Sequence, residues 1–149
     1  MKKLLCLLGA GILFVSCSKL EESDPDPLTL PVQKKVKFNI YSSKDYSSTN
    51  NDGTTALIKL EVININRTTE VETKIWDSTI NERQIKIYPL ATAPIVVEKV
   101  FNNIIDKDQA IKYRYVVTIK YNNGATSSNT ERSEVLDTGN IAKQLGIIL

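Results

Sequence analysis

Strict alternation of apolar and polar side chains runs through the chain and is clearest in IKYRYVVTIKY at 111–121. Its apolar side carries Ile111, Tyr113, Tyr115, Val117, Ile119 and Tyr121. A period of two is that of a half-buried β-strand. The segments 34–41 and 56–62 alternate in the same way, and no long window has the helical period. The parity slips at Ile63 and Ile65, which suggests a bulge or a strand that passes between sheets. This alternating pattern therefore predicts a protein built from β-strands.

Further strands are predicted at 70–76, 83–88 and 94–101. Asn123-Gly124 predicts a tight hairpin turn that leads into a last strand near 126–136. The segment GNIAKQL at 139–145 predicts a short helical turn. About seven short strands in fewer than 120 residues favour an antiparallel β-sandwich, and a domain of this size needs no disulfide.

The predicted sandwich resembles the immunoglobulin fold. Tyr113, in the sixth predicted strand, resembles the tyrosine-corner residue of that fold, with Asp108 and Ala110 preceding it at five and three residues. This likeness implies an immunoglobulin-like arrangement of two sheets. It implies nothing about function, because many unrelated activities use the same fold.

The N-terminus is typical of an export signal. Lys2 and Lys3 precede an apolar run at 4–15, which is too short to span a membrane. Phe14-Val15-Ser16-Cys17 resembles the cleavage motif of bacterial lipoproteins. That resemblance implies a signal peptide at 1–16, cleavage before Cys17 and acyl chains on Cys17 that anchor the protein in a membrane. The alternative is an ordinary signal peptide with Cys17 as a free thiol.

The residues after Cys17 form a short acidic linker, 17–32, ahead of a domain at 33–149. SKLEESDPDP resembles the signal that directs Bacteroidetes-type lipoproteins to the outer face of the outer membrane. Pro25, Pro27 and Pro31 favour an extended chain, which at ~3.1 Å per residue reaches ~45 Å. We therefore expect a lipid-anchored, surface-exposed outer-membrane protein.

Charge and composition argue against several functions. Loss of Lys2 and Lys3 lowers the 19 basic residues to 17, which equals the 17 acidic residues. A neutral domain provides no general attraction for nucleic acid. The chain has no histidine, its remaining cysteine is Cys17, and it lacks a glycine-rich phosphate loop. Asp106 and Asp108 lack the further ligands that calcium needs. We expect no catalytic residues, cofactor or metal.

Aromatic side chains supply the candidate binding surface. Trp76, Tyr88 and Tyr41, with Tyr46, could form a platform for sugars or peptide. Strict alternation from Val71 directs Trp76 outward, but a slip of one residue places it in the core. The basic residues Lys35, Lys37, Lys59, Lys112, Arg114 and Lys120 share the outward parity of their strands and could form a stripe for acidic glycans; the alternative is a solvated face.

Asp77-Ser78-Thr79 resembles the O-glycosylation site of secreted Bacteroidetes proteins, with Ser78 as the acceptor. Together these features favour a non-catalytic surface lipoprotein that binds a glycan or a partner protein. One alternative is a structural subunit of a fimbria-like assembly, joined by strand addition at a sheet edge. Another is a glycan hydrolase accessory.

Overall fold

The computed structural model describes residues 24–122 and 127–149. The described residues do not include the signal peptide at 1–16, Cys17 or the Asn123-Gly124 turn. They also do not include residues 18–23 of the outer-membrane signal SKLEESDPDP. The described strands are β1 (Pro31–Tyr41), β2 (Thr55–Asn66), β3 (Glu72–Gln84), β4 (Ile95–Ile105), β5 (Gln109–Lys120), β6 (Ser127–Leu136) and β7 (Ala142–Ile148). Short 3₁₀ turns lie at Pro27–Thr29, Thr49–Asn51 and Ile85–Ile87.

These strands form two sheets, with the orders β4-β1-β7 and β3-β2-β5-β6. All pairings are antiparallel except the one between β1 and β7. The predicted all-β sandwich of about seven strands is confirmed. The order β3-β2-β5-β6 and the pair β4-β1 match the C′-C-F-G sheet and the E–B pair of an immunoglobulin-like sandwich in which β1 takes the place of strand B, and β7 adds a parallel strand beside β1.

The core forms from the apolar parity of the central strands. Val36, Phe38 and Ile40 of β1 are fully buried, as are Ile58 and Leu60 of β2. The inward side chains of β5 and β7 complete the same cluster. Burial on one face only is what the alternation in the sequence predicts.

Two of the predicted strands, 70–76 and 83–88, are wrong. Segments 70–76 and 83–88 do not form separate strands: β3 continues through the polar residues between them, and 85–87 is a 3₁₀ turn. β3 lies at the edge of its sheet and pairs along nearly the whole of β2, with two register shifts that absorb its irregularities. Polar residues are tolerated there because an edge strand is largely solvated.

The predicted helical turn at 139–145 is also wrong, because Ala142–Ile148 is strand β7. Leu145 and Ile147 alternate into the core, and the backbone of β7 pairs with β1. The partner strand lies about a hundred residues earlier in the chain, so no local pattern indicates the pairing.

The linker joins the fold earlier than predicted. β1 begins at Pro31, two residues before position 33, and the Leu28 carbonyl accepts a hydrogen bond from the Lys107 N–H.

The sandwich has two ends. At one of them, which we call the turn end, β1 starts beside the turns at 67–71, 106–108 and 137–141. The opposite end, which we call the loop end, carries the segments 42–54, 85–94 and 121–122. It lies ~36 Å away along the 11 residues of β1.

Within the described ranges no helix is both long and apolar enough to cross a membrane.

Candidate functional site

A cavity of about 340 Å³ opens at the loop end. Its lining residues come from the loop after β1, the 3₁₀ turn at 85–87 and the end of β5. They are Tyr46, Asn50, Asn51, Thr54, Ile85, Ile119, Tyr121 and Asn122. We call this set the loop-end pocket.

Local hydrogen bonds fix the loop that forms one wall of the pocket. The Asn51 side-chain amide donates to the Ser48 Oγ at 2.9 Å, and the Thr54 N–H donates to the Asn51 carbonyl at 3.0 Å. The Thr54 carbonyl in turn accepts from the Ile85 N–H at 2.9 Å. The wall is therefore tied to the 3₁₀ turn beneath it.

Gly53 allows the two walls of the pocket to meet. Its φ of +80° is one that side chains rarely adopt. A Cβ there would lie 2.5 Å from the Asn122 Oδ1, closer than atoms pack. The Asn122 amide therefore occupies the space that a side chain at position 53 would need.

The pocket has an apolar floor and an aromatic rim. Ile85 is buried, and Ile119 and Tyr46 are half-buried against the core. Tyr121 is 45% exposed, because β5 ends at Lys120 and releases the next residue from the sheet. The alternation had placed Tyr121 with the core residues of β5, and the end of the strand overturns that assignment.

These residue types suit a small polar ligand. Tyrosine rings offer apolar faces together with a hydroxyl, and asparagine offers both donors and acceptors. The asparagines of the segment 47–55 are not singled out in the sequence analysis. The available signal was the clustering of Asn50 and Asn51 after Tyr46.

The predicted aromatic platform is dispersed. Tyr88 is only 5% exposed, and its hydroxyl donates to the Ala56 carbonyl at 3.3 Å. Trp76 pairs with Val62, six residues further along β2 from Ala56, or ~20 Å away. Tyr41 lies in the other sheet, with its ring against Gly146. These three aromatic residues do not meet on one surface, and Tyr46 alone of the set lines the loop-end pocket.

Trp76 lies at the border of the core. Its ring stacks on Phe38 with centroids 6.2 Å apart, and the Lys99 Nζ lies 5.6 Å from its centroid. It shares its parity with Ile80, so the strict alternation that directed it outward does not apply. The bulge between Val62 and Ile63 supplies a slip of the kind weighed from the sequence.

Ser78 lies within β3, on the same parity as Trp76 and opposite the buried Leu60. Its side chain is half-buried. A glycan there would have to leave through the edge of the sheet, so this placement lends no support to modification.

The predicted basic stripe is divided and largely paired. Lys35 and Lys37 lie on the sheet of β1, whereas the other four cations lie on the opposite sheet. Partner carboxylates lie at 3.6 Å or less, in the pairs Lys35–Glu98, Lys112–Glu72, Arg114–Glu61 and Lys120–Glu82. Hydrogen bonds from Lys120 and then Thr55 lower the pKa of Glu82. Four of the six cations are thus paired with carboxylates on the solvated faces of the two sheets.

The turn end holds a buried ion pair that the sequence reading missed. The Lys34 Nζ lies 2.7 Å from the Asp106 Oδ2, and that oxygen also accepts from the Gly139 N–H at 2.9 Å. Arg67 donates to the Asp106 carbonyl at 2.9 Å. Lys34 lies two residues before Val36 and therefore faces the same side of β1. This spacing is the feature of the sequence that indicates its burial.

The Asp106 carboxylate therefore binds Lys34 and the backbone of the turn at 137–141. No group of three or more cysteine, aspartate or glutamate side chains close enough to hold a metal ion occurs in the described parts of the chain.

Tyr113 is buried and does not form a tyrosine corner. Its hydroxyl donates to the Glu134 Oε2 on the neighbouring strand at 2.9 Å, instead of to backbone upstream. Burial of the hydroxyl has the largest effect on the pKa of Tyr113 and raises it. The hydrogen bond to the Glu134 carboxylate raises it further. The same hydrogen bond lowers the pKa of Glu134, with the charges of Arg132 and Lys143 acting in the same direction.

No protein-family model, curated protein or solved structure matches this chain. The loop-end pocket is consequently interpreted from its own residues.

Proposed function

We propose that this protein is a non-catalytic, lipid-anchored surface protein whose loop end binds a ligand. The anchor is Cys17, and its membrane is the outer membrane. The domain is a rigid support that holds the loop-end pocket away from the lipid.

The separation of the two ends carries the proposal. The described chain begins at the turn end, where Leu28 is hydrogen-bonded to the turn after β4. The pocket with its exposed tyrosine lies at the other end, ~36 Å away along β1. An anchor ahead of residue 24 thus leaves the pocket facing away from the membrane.

The absence of catalytic chemistry in the sequence supports binding over turnover. The chain has no histidine, and none of the eight described residues that line the pocket is acidic or basic. General acid–base catalysis most often uses histidine, aspartate, glutamate or lysine, and the described lining of the pocket contains none of these. The lining offers recognition groups instead.

The address is tested by fractionating cells that express Cys17→Ala. We expect the variant to leave the membrane fraction, while Ser18→Ala, which keeps the cysteine, stays there. Surface proteolysis of intact cells then reports exposure. Unchanged outer-membrane recovery of Cys17→Ala would contradict the anchor.

The binding end is tested on a printed array of glycans and proteins with the detergent-extracted full-length protein. We expect saturable binding that Tyr121→Ala abolishes. Val135→Ala is the matched control, because Val135 is also 45% exposed but lies near the turn end. Equal binding by both variants would refute the assignment to the loop end.

A further inference from the structure

The lining of the loop-end pocket narrows the chemistry of its ligand. Three of its eight residues are asparagine and two are tyrosine. The others are Thr54, Ile85 and Ile119, so the described lining carries no formally charged side chain. This lining is polar, aromatic and electrically neutral.

Nearby charges are engaged with partners. Lys86 and Asp52 form an ion pair at 2.7 Å, and the Lys44 Nζ lies 5.2 Å from the centroid of the Tyr46 ring. A charged ligand is usually held by an opposite charge, most often through arginine or lysine for an anion. Among the residues that the structure describes, the pocket lining contains no such group.

The lining fits the alternating surface of a sugar ring. A saccharide presents C–H groups that pack on an aromatic face and hydroxyls that both donate and accept hydrogen bonds. Tyr121 and Tyr46 supply the faces, and the amides of Asn50 and Asn122 supply both kinds of hydrogen-bonding group. The cavity of about 340 Å³ lies at the low end of the range for small-ligand sites, about 300–1,000 Å³.

We infer that the loop-end pocket binds an uncharged saccharide of one or two rings. This rests on the proposed function, since it names the ligand of the same site. Tyr121 stacks on the sugar, and the asparagine amides bind its hydroxyls. Gly53 leaves room for the Asn122 side chain.

A peptide fits the pocket less well. Extended peptides gain affinity by pairing with an exposed sheet edge, or by filling apolar grooves. The pocket is formed by loop and strand-end residues and is lined mainly by polar groups. The two mechanisms also predict different effects of substitution.

The test is a glycan array in which each neutral oligosaccharide is printed beside its sulfated and uronic-acid counterparts. The probe is the detergent-extracted full-length protein. We expect binding to neutral members, with no gain for the acidic ones and little dependence on salt. Titration of the best neutral glycan should show a loss of about tenfold or more in affinity for Tyr121→Ala.

Further variants separate stacking from hydrogen bonding. Tyr121→Phe keeps the ring and should retain most of the affinity, whereas Asn50→Ala should lose several-fold. Asn129→Ala, on an exposed part of β6 outside the pocket lining, should bind as the wild type does.

Preference for acidic glycans, or the absence of binding to any neutral glycan, would overturn the saccharide inference. Binding to an arrayed protein that Tyr121→Ala abolishes would overturn it as well, yet leave the loop end as the binding end. Neutral-glycan binding insensitive to both Tyr121→Ala and Asn50→Ala would refute the site.

Discussion

Lys34 and Asp106 form an ion pair inside the sandwich, with the Nζ and Oδ2 atoms 2.7 Å apart and side-chain exposures of 2% and 7%. The Lys34 Nζ also donates to the Asn140 carbonyl. The pair thus connects the first strand to two turns that are distant in sequence. Buried charges are tolerated only when they are paired and hydrogen-bonded, and this cluster meets that condition.

Removing one partner of this pair should destabilise the domain strongly. Lys34→Met leaves the Asp106 carboxylate buried without its cation, at an expected loss of about 3–5 kcal/mol in the free energy of unfolding. Urea denaturation followed by the fluorescence of Trp76 measures the loss.

Two further variants complete the test of the ion pair. The double variant Lys34→Met/Asp106→Leu should lose less than the sum of its single substitutions, because it leaves no unpaired charge. Lys35→Ala, which breaks an exposed pair with Glu98, should lose less than about 1 kcal/mol. Equal losses for Lys34→Met and Lys35→Ala would contradict the assignment.

The hydrogen bond between Tyr113 and Glu134 should make stability depend on pH at both extremes. The pKa of Glu134 is lowered in the fold, so its contribution is present above its unfolded pKa of about 4.3 and is lost as the pH falls through the folded value. The pKa of Tyr113 is raised, so its contribution is present below pH ~10 and is lost above it.

Tyr113→Phe keeps the ring but removes the hydroxyl, and so isolates this effect. The stability difference between wild type and variant should be constant between about pH 6 and 8 and shrink toward both extremes. Urea midpoints at pH 3 to 11 measure it. A difference that does not change with pH would show that the hydrogen bond has no part in the titration.

Gly53 and Gly139 provide a matched pair at the two ends. Both have a positive φ, +80° and +82°, but only Gly53 has a neighbour that a Cβ would strike. Gly139→Ala should cost about 1–2 kcal/mol for its backbone alone, and Gly53→Ala more. Asn122→Ala should relieve the excess in the double variant. Thermal unfolding measures the stability of the wild type, Gly139→Ala, Gly53→Ala and the double variant Gly53→Ala/Asn122→Ala. Equal losses of stability for the two single glycine variants would argue against the contact between positions 53 and 122.

Lys99 should limit association through the exposed edge of β4. It pairs with the buried Val36, so it lies on the inward parity of an edge strand, a placement that discourages strand addition. Lys99→Val should increase self-association in sedimentation velocity, whereas Lys37→Val on the central strand should not. If the wild type already assembles through β4, the fimbria-like alternative gains support instead.

Local sequence determined the strands of the core. The alternation at 34–41, 56–62 and 111–119 reports which face of each strand is buried, because successive side chains point to opposite sides. Gly53 is another local signal, since its turn-rich surroundings indicate a reversal of the chain. The motif around Cys17 likewise rests on adjacent residues, and it remains a prediction.

Tertiary structure decided what depends on distant partners. β7 exists as a strand because β1 pairs with it, and Lys34 is buried because Asp106 lies within 2.7 Å to neutralise it. Tertiary structure likewise separates Trp76, Tyr88 and Tyr41, which belong to different parts of the fold. The loop-end pocket draws Tyr46 and Tyr121 from segments 75 residues apart, and only the packing of the two sheets brings them together.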